Sequence, residues 1–153
     1  MQPHKSQLLA QFAPYFSSCI PKSNLSRLAI FRPSPPKEPT IEISPDIIDN
    51  TLILKILATR IDAASALQFK DLMRSTTDGY SGRVVLDLEL VEFIDSSGLG
   101  AIVSAYKALA PRNRMDLCST GEVVNTVFRL TRMDFIFAIY EDVEHALNEG
   151  ELI

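Results

Sequence analysis

The stretch Phe93-Ile94-Asp95-Ser96-Ser97-Gly98-Leu99-Gly100 joins the most strand-like run of this chain to its most helix-like run. Upstream, Val84-Val85-Leu86-Asp87-Leu88 is short, apolar and rich in β-branched residues, the composition of a strand buried on both faces. Downstream, Leu99, Ile102, Val103, Tyr106 and Leu109 recur at the spacing of one helical face, with Ser104 and Lys107 on the other side. The octapeptide therefore reads as a strand-to-helix turn. Asp95 or Ser96 can accept a hydrogen bond from the first free N–H groups of the helix. Gly98 and Gly100 keep side chains off a surface that another molecule could approach closely.

Such a turn sets two hydroxyls at the positive end of a helix dipole, where a phosphate can be added without unfolding the chain and would change what docks there. An isolated Asp-Ser-Ser-Gly is better explained as a cap and a first-turn residue, and the longer pattern reverses that reading. Val-Val-Leu-Asp-Leu, a short spacer, then Phe-Ile-Asp-Ser-Ser-Gly-Leu-Gly closely resembles the signature of the STAS domain, the fold of bacterial anti-sigma factor antagonists. In that family the first serine of the pair is the regulatory phosphorylation site, which corresponds to Ser96. The resemblance also matches Asp62 to a family aspartate near the phosphorylation loop, and Asp95, Ser97, Gly98, Leu99 and Gly100 complete the motif as a partner-binding surface. The family often carries Gly-Glu ahead of that aspartate region. This chain has Thr59-Arg60, so the contact of the usual glutamate is not carried over.

The rest of the chain is consistent with one domain and an extension. It has 153 residues, 46% of them hydrophobic, enough for an ordinary core. No run approaches the ~18 apolar residues of a membrane span, and polar interruptions at Gln7, Gln11, Pro14 and Ser17 argue against a signal peptide. Two cysteines, Cys19 and Cys118, give no disulfide framework and fit a reducing cytoplasm. His4 and His145 lack ligand-like neighbours, so neither a zinc site nor a Ser/His pair is indicated, and the glycines do not form a phosphate-binding loop.

Residues 1–40 carry five Lys or Arg against one acid, and the remainder carries 10 against 18, so a basic leader of charge +4 precedes an acidic body of −8. Seven of the nine prolines lie in that leader, which reads as a flexible extension. Its scattered charges make a poor stripe for nucleic acid.

From residue 41 the pattern is regular. Ile41–Ile43 alternates like an edge strand, Asp49-Asn50 reads as a turn, and Leu52–Leu57 is a partner strand. Asp62 is a good N-cap for a helix with Ala66, Phe69, Leu72 and Met73 inward. Met115–Cys118 is expected as a strand, and Ser119 with Glu122 as a capping box for a helix through Leu130. Phe135–Ile139 is expected as a strand, followed by a last helix with Val143, Ala146 and Leu147 inward. The order β-β-α-β-α-β-α-β-α implies an α/β fold, a small and mostly parallel mixed sheet of about five strands. The STAS resemblance covers residues 41–150, places the helices chiefly on one side and leaves 151–153 as a tail.

That resemblance implies a binding module with no catalytic residue, metal or cofactor of its own. The unphosphorylated domain would bind a serine kinase that acts as an anti-sigma factor and so free the sigma factor. Phosphorylation by that kinase would release it, and a serine phosphatase acting on phospho-Ser96 would reset it. Direct nucleic-acid binding and a membrane span are not expected. Two alternatives remain: a STAS subunit of an ABC-type lipid-transport complex, and a serine hydrolase using Ser96, which lacks a recognisable nucleophile elbow. Asp87 reads as a backbone-bonded carboxylate at the sheet end. Lys107, Arg112 and Arg114 read as a solvated rim. The strip Ala101, Ala105 and Ala108 reads either as close helix packing or as a flat partner edge.

Overall fold

A computed structural model describes residues 40–150. The leader expected over residues 1–40, apart from Thr40, and the tail 151–153 lie outside the described residues.

Strands β1 (Ile43–Ile48) and β2 (Thr51–Ile56) form an antiparallel hairpin in the register Ile48↔Thr51 to Ile43↔Ile56. Asp49 and Asn50 join them with φ of 48° and 60°. Two successive left-handed residues make the turn that matches strand twist, and Asp and Asn tolerate it. β1 is the edge of the main sheet, so Pro45, which has no N–H to give a second neighbour, is accommodated. The strand begins at Ile43, later than expected. Ile41 is instead a buried residue ahead of it, its N–H donating to Gln68 Oε1 at 3.2 Å.

The main sheet has the order β1-β2-β4-β6-β7, where β4 is Arg83–Asp87, β6 Arg114–Cys118 and β7 Ile139–Tyr140, all parallel to β2. Alternation along the strands separates two faces. Leu52, Leu54 and Ile56, Val84 and Leu86, and Met115 and Leu117 share one core with three helices. These are α1 (Ala66–Thr77), α2 (Ser96–Leu109) and α3 (Glu122–Leu130). Phe69 and Phe128 are fully enclosed there, each contributing about 1.5–3 kcal/mol of apolar transfer. On the other face Ile53, Val85, Cys118 and Tyr140 pack against Ala146 of α4 (Val143–Gly150). Three helices thus cover one side and one covers the other. Central strand β4 is continuously apolar at Val84, Val85 and Leu86 because both its faces are buried.

A polar cluster centred on the buried Asp116 fixes α4 to the sheet. Asp116 accepts hydrogen bonds from Arg83 Nε at 2.7 Å and Arg114 Nε at 3.0 Å, and Arg83 Nη1 donates to the Ala146 carbonyl at 2.6 Å. Arg114, expected in a solvated rim, is a half-buried residue of β6 whose guanidinium also reaches Tyr140 Oη at 3.3 Å. Asp87, buried at the end of β4, accepts the Glu89 N–H at 3.0 Å.

Two expectations fail near the end of the chain. Ser119 does not open a capping box: its φ is 57°, its N–H donates to the Tyr140 carbonyl, and Gly121 stands at the N-cap of α3. The apolar run from Phe135 is not one strand. Met133–Phe135 form a 3₁₀ turn that leaves Phe135 largely exposed. Phe137 turns inward to meet Tyr106 and Phe128 edge-on, with centroids 5.1 and 6.4 Å away, and only Ile139–Tyr140 pair with β6.

Candidate functional site: the turn between β5 and α2

A second, two-stranded parallel ribbon supports the turn. β3 (Arg60–Ile61) pairs with β5 (Phe93–Ile94) in the register Arg60↔Phe93 and Ile61↔Ile94. The Thr59 carbonyl accepts the N–H groups of Glu92 and Phe93, and the Ile61 carbonyl accepts that of Asp95 at 3.3 Å. Two-residue strands carry no periodicity, so the sequence gives no sign of this pairing.

Asp95 is the N-cap of α2, extended at φ −94° and ψ −177°. Its Oδ1 accepts the Gly98 N–H at 2.8 Å, and its Oδ2 accepts the Ala63 N–H at 3.1 Å. One carboxylate thus caps its own helix and ties it to the loop after β3. The Gly98 N–H holds the Asp95 carboxyl below its ordinary value; the Ala63 and Ser97 amides and the charge of Arg60 add to this against some desolvation.

Asp62 organises the facing loop. Its Oδ1 accepts the N–H groups of Ala64 and Ser65 at 3.1 and 3.3 Å, and Ser65 Oγ returns a bond by accepting the Asp62 N–H at 3.0 Å. It therefore caps a turn over residues 63–65, whereas the N-cap position of α1 belongs to the buried Ser65. Asp62 followed three residues on by Ser65 is the sequence signal for this reciprocal pair.

The motif glycines play different parts. A Cβ on Gly98 would run into the backbone of Ile61, so this buried glycine lets α2 approach β3. A Cβ on Gly100 meets open space, and the residue is exposed. Leu99 is half-buried against the core. Ala101 and Ala105 are buried, which assigns them to packing, whereas Ala108 is exposed.

Ser96 and Ser97 both face solvent at the start of α2, and neither hydroxyl has a hydrogen bond to the protein among the described residues. Asp95, not Ser96, makes the cap. Neither serine meets a base among the described residues; the His145 ring bonds Asp142 Oδ1 at 2.8 Å. Arg60 and Phe93 complete the surface: the guanidinium carbon lies 4.6 Å from the centre of the Phe93 ring, and Nε lies 3.4 Å from Asp62 Oδ2. A recess of about 650 Å³ between α1 and α2 is lined by Lys70, Arg74, Tyr80 and Leu109, among others, and by none of residues 93–100. No three acidic, His or Cys side chains converge on a metal position among the described residues, and no helix there is long and apolar enough to cross a membrane.

Comparison with known proteins agrees with this architecture. The STAS domain family model matches residues 39–146. An anti-sigma F factor antagonist of Paenibacillus polymyxa is 32% identical over 71 residues, 46% of this chain and 61% of that protein. A Thermotoga maritima protein, described as a putative anti-sigma factor antagonist, is 38% identical over 72 residues, 46% of this chain and 63% of its own length. The matched stretch thus spans less than two thirds of either curated relative. A Thermotoga maritima crystal structure with the same description superposes with a TM-score of 0.62 at 31% identity, covering 70% of this chain and 92% of that one. The ribbon-supported turn, the five-stranded sheet and the family match together place this chain in the STAS domain family.

Proposed function

We propose that this domain is a phosphorylation-switched binding module, an anti-sigma factor antagonist working in the cytoplasm. In its unphosphorylated form it binds a serine-kinase anti-sigma factor and so frees the sigma factor. The kinase transfers the γ-phosphoryl group of its own ATP to the Ser96 hydroxyl, and the complex separates. A serine phosphatase that hydrolyses phospho-Ser96 restores the binding form. Residues 41–150 carry this activity, and the leader over residues 1–40 is dispensable for it.

The reading rests on the placement of Ser96. It is the first residue of α2, exposed, with its hydroxyl free of protein partners among the described residues, and it directly follows the carboxylate that fixes the turn. A phosphate there adds about −1.5 to −2 charge at the favourable end of the helix dipole, so the fold is kept. The same charge falls next to Asp95, at the end of the ribbon that also carries Asp62, so an interface complementary to a neutral hydroxyl suffers repulsion and desolvation. Ser97, Leu99 and Gly100 form the rest of the contact, with Gly98 and Asp95 holding it in shape.

Incubation with the cognate kinase and ATP, followed by peptide mass spectrometry, tests the assignment. Phosphate on Ser96, absent from Ser96→Ala, is expected. Phosphate confined to Ser97, or co-purification with a permease and ATPase in place of a soluble kinase, would overturn it.

A further inference from the structure

Arg60 is the only Lys or Arg in residues 57–66 and 88–100, the two segments that build the turn and its support, which also hold Asp62, Glu89, Glu92 and Asp95. Its side chain is 61% exposed and engaged in two loose contacts, the 3.4 Å approach to Asp62 and the stacking on an exposed Phe93 ring. The Asp62 distance is long for a charge-assisted hydrogen bond, and an exposed pair of this kind is readily exchanged. The parallel register Arg60↔Phe93 and Ile61↔Ile94 brings Asp62 and Asp95 to the same end of the ribbon, and Ser96 follows at once. The Arg60 charge is felt at Asp95, the residue joined to Ser96.

A phosphate on Ser96 would meet Asp95 and Asp62, with Arg60 as the nearby cation of these segments. A guanidinium prefers three phosphate oxygens, which it can engage in a bidentate manner, to one exposed carboxylate. We infer that Arg60 is the counter-ion of phospho-Ser96: on modification its guanidinium leaves Asp62 and the Phe93 ring and pairs with the phosphate. This rests on the reading of Ser96 as the modified residue. The consequence is a second change in the docking surface, since Asp62 loses its ion pair and the Phe93 face is uncovered. The modified domain then differs from the free form along the β3–β5 ribbon as well as at the turn.

Phosphoserine introduced at position 96 of the full chain during translation, with no kinase or partner present, tests this directly. Titration by ³¹P NMR at low ionic strength reads the second ionisation of the phosphate in the native chain, Arg60→Gln and Arg60→Lys. Arg60→Gln is expected to raise that pKa by about one unit, because the adjacent cation favours the dianion, and Arg60→Lys to raise it less. The Arg60 Nε–H resonance of the native chain should also move when phosphoserine replaces serine. Equal midpoints in all three chains, or an Arg60 resonance that stays in place, would overturn the inference. Because the phosphate is installed without the kinase, a kinase that ignores Ser96 would defeat the proposed function and leave this result readable.

Discussion

A Cβ placed on Gly98 would lie 2.7 Å from the carbonyl carbon of Ile61 and closer still to its oxygen. That carbonyl belongs to β3 and already accepts the Asp95 N–H, so neither side of the contact can yield without breaking the ribbon. Gly98→Ala should therefore destabilise the domain by about 2 kcal/mol or more, an overpacking cost imposed by backbone. Gly100→Ala, in the same helix but in open space, should stabilise it by about 0.5–1 kcal/mol through helix propensity. Urea denaturation of the two variants separates these outcomes, and equal effects would contradict the packing account.

Asp95 carries the cap, and its carboxyl titrates below the ordinary value of 3.8, chiefly through the Gly98 N–H. A carboxyl depressed in the folded state stabilises it fully above the unfolded value, and this contribution is lost as pH falls through the folded value. Asp95→Ala should thus be less stable than the native chain by a constant margin near about pH 7, and the margin should close below about pH 4. Melting curves across that range test it; a margin that persists in acid would assign the effect to something other than the charged cap.

Cys118 lies fully buried in β6, and burial pushes its thiol up to about 11. Thiolate is the reactive form, so at about pH 8 alkylation of Cys118 in the folded chain should run at least about a hundredfold slower than in denaturant. Peptide mapping distinguishes it from Cys19. Equal rates in both conditions would show that β6 opens readily.

Much of this architecture could be read from residue pattern because its elements are long and one-sided. Val84–Leu86 is continuously apolar, α2 repeats an inward face, and Asp49-Asn50 supplies the two left-handed residues its turn requires. The ribbon that aims the site could not, since Arg60–Ile61 and Phe93–Ile94 are too short for any period and meet only through the fold. The Ser119–Glu122 spacing misled because the Ser119 N–H is claimed by the Tyr140 carbonyl, a partner distant in sequence. The run from Phe135 misled because apolar content without alternation does not fix a strand, and Phe137 is drawn inward by Tyr106 and Phe128. At the site, the pattern identified the turn and left its cap open between Asp95 and Ser96, whereas the choice of Asp95 and the division of labour between Gly98 and Gly100, and between Asp62 and Ser65, emerged only from contacts.

The most direct test of the switch is calorimetry against the cognate kinase with four forms of the chain: unmodified, phosphorylated at Ser96, Ser96→Asp and Ser97→Ala, each checked for folding by circular dichroism. The account predicts that all four stay folded, because the Ser96 and Ser97 hydroxyls bond nothing in the protein among the described residues and negative charge suits the helix start. It predicts tight binding by the unmodified chain, binding by Ser97→Ala that remains close to it, a partial loss for Ser96→Asp, and a loss of at least about a hundredfold for the phosphorylated form, since aspartate carries less charge and fewer acceptor oxygens than phosphoserine. Phosphorylated protein that binds as tightly as the unmodified domain would contradict it.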